Sequence, residues 1–157
     1  MRHAVFPGSF DPITSGHIDV INRCSKQFDK FTVLVANSTS KKYLFDLDER
    51  VSLIKGALNN DEIIVDSFSG LTVEYAKSKG AHCIVRGLRA VADFEYELAM
   101  SRMNKSLSDD IETMMIFSDP NLNFVSSSMI KEVARLGGSL KGLVPKNISE
   151  ALKSKFK

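Results

Sequence analysis

Five short apolar runs recur along the chain, at residues 4–6, 31–36, 63–65, 83–85 and 114–117, and a stretch of helical periodicity separates each from the next. That alternation constrains the fold more than any other feature. All the runs are strand-length and several are β-branched. Between them, Ile18, Ile21 and Phe28 mark one face of a first helix, and Leu47, Val51, Ile54 and Leu58 one face of a second. The second opens at Asp46 with Glu49 three residues later, an arrangement in which each side chain satisfies a free backbone donor. A third helix spans 71–79 and stops at Gly80; a fourth runs from about 93 to 107 with acidic residues in its first turn, where the helix dipole favours them. A fifth carries Met129, Val133 and Leu136 on one face ahead of Gly137 and Gly138, and a short sixth follows Pro145.

Strands that alternate with helices connect by right-handed crossovers into a parallel sheet. The expected architecture is therefore α/β, a Rossmann-like doubly wound sheet of five parallel strands with helices on both faces. With 157 residues and no internal repeat or linker, one domain over residues 1–157 is expected. Met100, Met103, Met114, Met115 and Met129 read as packing residues, and His3 and His82, at strand beginnings, as structural.

Other classes are disfavoured by composition. Hydrophobic residues make up 43% and charged residues 25%, the balance of a globular chain rather than a disordered one. The 21 Lys plus Arg against 19 Asp plus Glu leave a net charge of only +2, which argues against a nucleic-acid partner. Pro7, Asp11, Pro12, His17 and Asp19 interrupt any signal-peptide core, and no apolar run approaches the ~20 residues of a membrane span. Cys24 and Cys83 lie far apart with no metal-ligand or redox spacing and read as buried thiols. A cytoplasmic location without membrane association is expected.

In open parallel sheets ligands bind at the carboxyl ends of the strands. The loops there cover residues 7–16, 37–45, 66–70, 86–92 and 118–127. The first reads Pro7-Gly8-Ser9-Phe10-Asp11-Pro12-Ile13-Thr14-Ser15-Gly16-His17. Gly16 lets an anion approach free N–H groups at a helix start, and His17 can donate to a phosphate oxygen. The same turn also reads as a helix cap with an incidental histidine. Arg86 and Arg89 bracket Gly87 at a strand end, where two guanidinium groups can address phosphates; they can equally pair with Asp93, Glu95 or Glu97. Ser126, Ser127 and Ser128 exceed what one helix cap requires and offer a second anion site. Lys41 and Lys42 sit in a polar loop, where such a pair is commonly just solvated.

Thr14-x-Gly16-His17 resembles the T/HxGH signature of the nucleotidylyltransferase superfamily. The full string from Pro7 to His17 is similar to that of the bacterial phosphopantetheine adenylyltransferases. So are Arg86-Gly87-Leu88-Arg89-Ala90-Val91-Ala92-Asp93-Phe94-Glu95-Tyr96-Glu97 and Phe124-Val125-Ser126-Ser127-Ser128-Met129-Ile130-Lys131-Glu132. Val125 stands where that family usually has isoleucine, and Thr72 where it often has a larger apolar residue. Ser128 and Lys131 favour the pantetheine branch over the nicotinate mononucleotide and cytidylyl branches.

The resemblance implies transfer of AMP from ATP to 4′-phosphopantetheine by direct in-line displacement. It assigns catalysis to His17, Lys41 and Arg89. ATP contacts carried over are Ser9, Phe10, His17, Gly87, Leu88, Arg89, Glu97, Leu122, Asn123, Phe124, Val125, Ser126, Ser127 and Ser128, with Glu97 reaching the nucleotide directly or through water. Phosphopantetheine contacts are Ser9, Lys41, Thr72 and Arg86. The resemblance further implies Mg²⁺ held mainly by ATP phosphates and water, and a homo-hexamer built as a dimer of trimers.

Overall fold

In a computed structural model describing residues 1–157, the apolar runs extend into strands β1 (His3–Gly8), β2 (Lys30–Ala36), β3 (Ile63–Phe68), β4 (Cys83–Leu88) and β5 (Glu112–Phe117). Residues 66–68 and 86–88, expected in loops, are ladder residues: Leu34 registers with Asp66, Ala36 with Phe68, Arg86 with Met115 and Leu88 with Phe117. Ladder bonds are made by the backbone, so polar side chains do not end a strand that has a neighbour. Arg86 thereby gains the rigidity of a strand.

The helices are α1 (Ser15–Ser25), α2 (Leu47–Leu58), α3 (Thr72–Ser78), α4 (Val91–Leu107), α5 (Ser127–Arg135) and α6 (Lys146–Lys155). All five strands are parallel, in the order β3-β2-β1-β4-β5. The chain winds outward from β1 to β3 and then returns to β1's other side for β4. This reversal opens a crevice between the carboxyl ends of β1 and β4.

Side chains alternate across the sheet. Ala4, Phe6, Val33, Val35 and Val85 face Ile21, Ile54, Ile130 and Ile148, which come from α1, α2, α5 and α6. Val5, Leu34 and Ile84 face the other way, onto Val73, Tyr75 and Ala76 of α3. The expected doubly wound α/β sheet is present. Burying a side chain such as Ile21 or Ile54 contributes about 1.5–3 kcal/mol.

Some sequence expectations need correction. Helix α1 ends at Ser25, so Phe28 lies beyond it and packs on the core from the following turn; the buried face is Val20, Ile21 and Cys24. Helix α4 begins at Val91, ahead of the expected Asp93, because Asp93 accepts the N–H groups of Arg89 (3.1 Å) and Ala90 (3.3 Å) and so caps a helix already under way. Met100, Met103, Met114 and Met129 are exposed and only Met115 is half-buried. No element of this chain lies outside α4 and β5 to cover the methionines they carry.

Other readings hold. The Asp46–Glu49 capping box closes with 2.8 and 2.9 Å bonds. Both cysteines are buried and free, and burial raises both thiol pKa values. His3 is buried at the start of β1, its Nε2 2.9 Å from Thr32 Oγ1; His82, expected to be structural as well, is instead exposed just before β4. No helix is long and apolar enough to cross a membrane.

Candidate active site

The β1–β4 ladder registers only Ala4 with Cys83 and Val5 with Ile84. Beyond it, the Pro7 carbonyl accepts a hydrogen bond from Arg86 Nη1 at 2.9 Å, so a side chain bridges the open crevice. Two cavities meet there. One, of about 240 Å³, is lined by Ser9, Phe10, Thr14, Gly16, His17, Gly87, Arg89, Val125 and Ser127. The other, of about 300 Å³, is lined by Ala36, Lys41, Leu71, Thr72, Tyr96, Glu97, Met100, Asn104 and Thr113. Pro7, Gly8, Ser9 and Arg86 belong to both and form the wall between them.

Helix α1 aims its first turn at the first cavity. Thr14 caps the helix: its hydroxyl accepts the His17 N–H at 3.4 Å, and its own N–H donates to His17 Nδ1 at 3.0 Å. The two readings of this turn are thus one geometry, because the histidine that lines the cavity also closes the cap. With Nδ1 accepting, the ring proton resides on Nε2. Burial first, then the charges of Arg89 and Arg86, lower the His17 pKa to about 4, so the ring is neutral at physiological pH.

Beside it, Phe10 holds a left-handed backbone (φ 46°), with its ring edge-on to His17 at 5.1 Å. A Cβ on Gly8 would stand 2.8 Å from the Phe10 ring, so only glycine leaves room for that ring. At Gly16 a Cβ would meet the protein no closer than 3.6 Å. What the second glycine preserves is the cavity rather than the packing.

Arg86 is held from two sides. Its Nε and Nη2 each donate 2.7 Å bonds to the two carboxylate oxygens of Glu97, and its Nη1 reaches Pro7. Glu97 is buried and Arg86 retains partial exposure, so this is an inner ion pair rather than the solvated one considered from sequence. Glu97 lines the second cavity with Arg86 between it and the first. Arg89 pairs loosely with Asp93 at 3.5 Å and donates to the Val125 carbonyl at 3.3 Å, which ties β4's end to the segment before α5.

The three serines have three different fates. Ser126 caps α5 by accepting the Met129 N–H at 3.2 Å; Ser127 Oγ donates to the Pro12 carbonyl at 2.8 Å; Ser128 is exposed. Val125 and Ser127 line the first cavity. Leu88 is buried at the end of β4, Leu122 is half-buried with its carbonyl near Gly16, and Asn123 and Phe124 are exposed. None of these four lines either cavity.

Around the second cavity, Lys41 is exposed on its loop and Thr72 opens α3. Tyr75 of that helix donates to Asp66 of β3 at 2.6 Å, which fixes α3 against the sheet. The lining mixes Ile84, Leu71 and Met100 with Ser101, Asn104 and Thr113. Thr113 Oγ1 is the one buried side-chain polar atom without a hydrogen-bond partner.

Sequence reasoning gave no role to Asp11, Lys131 or Arg50. Asp11 accepts from the N–H groups of Leu44 (2.8 Å) and Phe45 (2.9 Å) and from Lys131 Nζ (3.1 Å), joining the first loop, the second loop and α5. Partners 120 residues apart leave no local signal. Glu97, the one carboxylate that lines either cavity, is committed to Arg86; around them Asp93 pairs with Arg89 and Asp11 with Lys131.

Comparison with known proteins identifies relatives of the chain. The cytidylyltransferase-like family model matches residues 5–133. A phosphopantetheine adenylyltransferase of Bdellovibrio bacteriovorus is 52% identical over 155 residues, covering 98% of this chain and 97% of its own length. Proteins of the same name from Geotalea daltonii and Alkaliphilus oremlandii are each 48% identical over 157 residues; 99% of this chain is covered in both cases, with 98% and 100% of theirs.

Proposed function

The chain belongs to the cytidylyltransferase-like family and, within it, to the phosphopantetheine adenylyltransferases, and from that premise we propose how its residues work. It transfers the adenylyl group of ATP to 4′-phosphopantetheine, yielding dephospho-coenzyme A and pyrophosphate, the penultimate step of coenzyme A biosynthesis. The observation that carries the mechanism is the meeting of two cavities over Ser9 and Arg86. The first takes ATP and the second takes the acceptor, so the acceptor phosphate and the α-phosphorus face each other across the shared wall.

An acceptor phosphate oxygen attacks the α-phosphorus in line, the bond to the β-phosphate breaks, and pyrophosphate leaves. The attacking oxygen is already anionic, so no base is needed. His17 suits that requirement: Nδ1 is occupied and Nε2 carries a proton, leaving a neutral donor for the α-phosphate oxygens as charge builds on them. Arg89, Gly87, Ser127 and the N-termini of α1 and α5 hold the nucleotide, with Leu88 and residues 122–126 and Ser128 framing it. Lys41, Arg86 and Ser9 hold the acceptor phosphate, and Arg86 is preset by Glu97. Glu97 stands behind Arg86 on the acceptor side, so it would reach the nucleotide through Arg86 or a water rather than directly.

Thr72, Leu71, Met100 and Asn104 line the course of the pantetheine arm, whose methylenes and amides match a cavity of mixed lining with an unpartnered hydroxyl at Thr113. Mg²⁺ would be held mainly by the phosphates of ATP and by water, and would supply neutralisation of their charge. The donor set fits this, since Asp11, Asp93 and Glu97 are already paired with Lys131, Arg89 and Arg86. A cytoplasmic location and a hexameric assembly complete the proposal. An exposed apolar stripe of Tyr96, Met100, Met103 and Leu107 along α4 supports self-association.

The test is pyrophosphate release from ATP and Mg²⁺ with a panel of acceptors. Release only with 4′-phosphopantetheine is expected. Release with nicotinate mononucleotide instead, or from CTP with another acceptor, would reassign the substrate.

A further inference from the structure

Arg50, in the first turn of α2, is among the most deeply buried side chains of the protein, with 1% of its surface exposed. A buried cation ordinarily needs a carboxylate. Arg50 has none: its Nη1 donates to the carbonyls of Ser9 (2.9 Å) and Ala36 (3.3 Å), its Nη2 to Asn37 Oδ1 (2.7 Å) and its Nε to the Asp46 carbonyl (3.4 Å). The guanidinium carbon Cζ lies over the Tyr43 ring, 3.9 Å from its centre. Every ion pair in the protein involves other residues. If only packing were needed here, an apolar side chain of similar volume would serve at lower cost.

The partners show what the charge is for. Ser9 belongs to the loop after β1; Ala36 ends β2 and Asn37 follows it; Asp46 caps α2. Tyr43, stacked on the guanidinium, accepts the Ser38 N–H on its hydroxyl at 2.9 Å. Both ends of the segment that carries Lys41 are therefore fastened to one planar group, and the same group holds the backbone of Ser9. Ser9, Ala36 and Lys41 all line the acceptor cavity.

We propose that Arg50 is a positioning residue for acceptor binding: it sets the spacing between Ser9 and the Lys41 loop, which reach the acceptor phosphate from two sides. Its unpaired charge also adds to the positive potential at that end of the site. Lysine cannot replace it. An ammonium is a point donor with no plane to stack on Tyr43 and no fork to span Ser9 and Asn37 together.

This inference rests on the acceptor cavity taking 4′-phosphopantetheine. The experiment is steady-state kinetics of Arg50→Lys, Asn37→Ala and Tyr43→Phe, varying 4′-phosphopantetheine and Mg·ATP separately, with circular dichroism to establish folding. Arg50→Lys should raise the KM for phosphopantetheine about tenfold, the size of one charge-assisted hydrogen bond lost at a phosphate, with the KM for ATP and kcat within about twofold. Tyr43→Phe and Asn37→Ala should shift the same constant in the same direction by about threefold each. A merely structural role would lower the active fraction, and with it kcat, without splitting the two KM values.

Equal shifts in both KM values, a change confined to kcat, or wild-type constants in all three variants would overturn the proposal. If Arg50→Lys does not fold, the other two variants decide it, because both alter half-buried side chains at the surface end of the network. A wild-type protein that releases no pyrophosphate with phosphopantetheine would overturn the functional reading itself, a result distinct from active wild type with unshifted variants.

Discussion

Thr14 donates its backbone N–H to His17 Nδ1 across 3.0 Å, and this bond decides which ring nitrogen carries the proton beside the first cavity, the proposed nucleotide site. A helix cap thus does the work of a tautomer switch held in one position. His17→Ala removes the Nε2 donor and leaves Gly16, Arg89 and the α5 terminus to bind the nucleotide. Turnover should fall by about 10²–10³-fold, with ATP affinity within a few-fold of wild type by calorimetry. Unchanged turnover would take His17 out of the mechanism.

The same ring makes stability pH-dependent in a definite direction. Burial, with Arg89 and Arg86 in support, lowers the His17 pKa from 6.5 to about 4. Below pH 6.5 the unfolded chain takes up a proton that the folded protein refuses, so this contribution to stability is lost as pH falls toward 4. The shift corresponds to at most about 3 kcal/mol. His17→Gln should therefore lose less stability than wild type between pH 7 and 4.5 in urea unfolding. His3, whose pKa burial also lowers, adds the same slope to both proteins and drops out of the comparison. Equal losses would show that His17 titrates normally in the fold.

How much of this was legible in the sequence depends on whether a residue's signal is local. The strand–helix alternation is local, and so is the turn from Pro7 to His17, because glycine, proline and the helix start lie within one loop. Arg50 was hidden because Asp48-Glu49-Arg50 reads as the charged exposed turn of any helix; only the folding of Ser9 and Asn37 onto α2 makes it a buried cation. The Asp11–Lys131 bond joins opposite ends of the chain and has no pattern to read. Arg86 was visible as a candidate phosphate ligand, but its 2.7 Å clamp by Glu97 was one alternative among several carboxylates, and choosing between them required the pitch of α4. The methionines of α4 were misread because helical spacing marks an apolar face without saying what covers it.

That clamp leads to the next expectation. Glu97→Gln keeps the volume and one hydrogen-bond acceptor but removes the counter-charge of a partly buried guanidinium. Arg86 then gains freedom at the wall shared by both cavities. A stability loss of about 1–3 kcal/mol should accompany a higher KM for phosphopantetheine, with a smaller effect on the KM for ATP. Thermal unfolding and two-substrate kinetics measure both. A variant that loses ATP binding first would place Glu97 at the nucleotide rather than behind Arg86.

The exposed stripe on α4 yields the last expectation. Tyr96, Met100, Met103 and Leu107 recur at the spacing of one helical face, and on edge strand β5 Phe117 is 77% exposed. An apolar stripe beside an unpaired strand edge is an association surface unless something covers it. Tyr96 and Met100 also line the second cavity, the proposed acceptor site, so Met103, which does not, separates assembly from binding. Met103→Glu places a charge in the middle of the stripe without disturbing a buried contact. Light scattering at several concentrations should give an oligomer for wild type and smaller species for the variant, with far-ultraviolet circular dichroism unchanged. A wild type that is monomeric at micromolar concentration, or a variant that assembles equally well, would mean that this face of α4 meets water and that the assembly, if any, is built elsewhere.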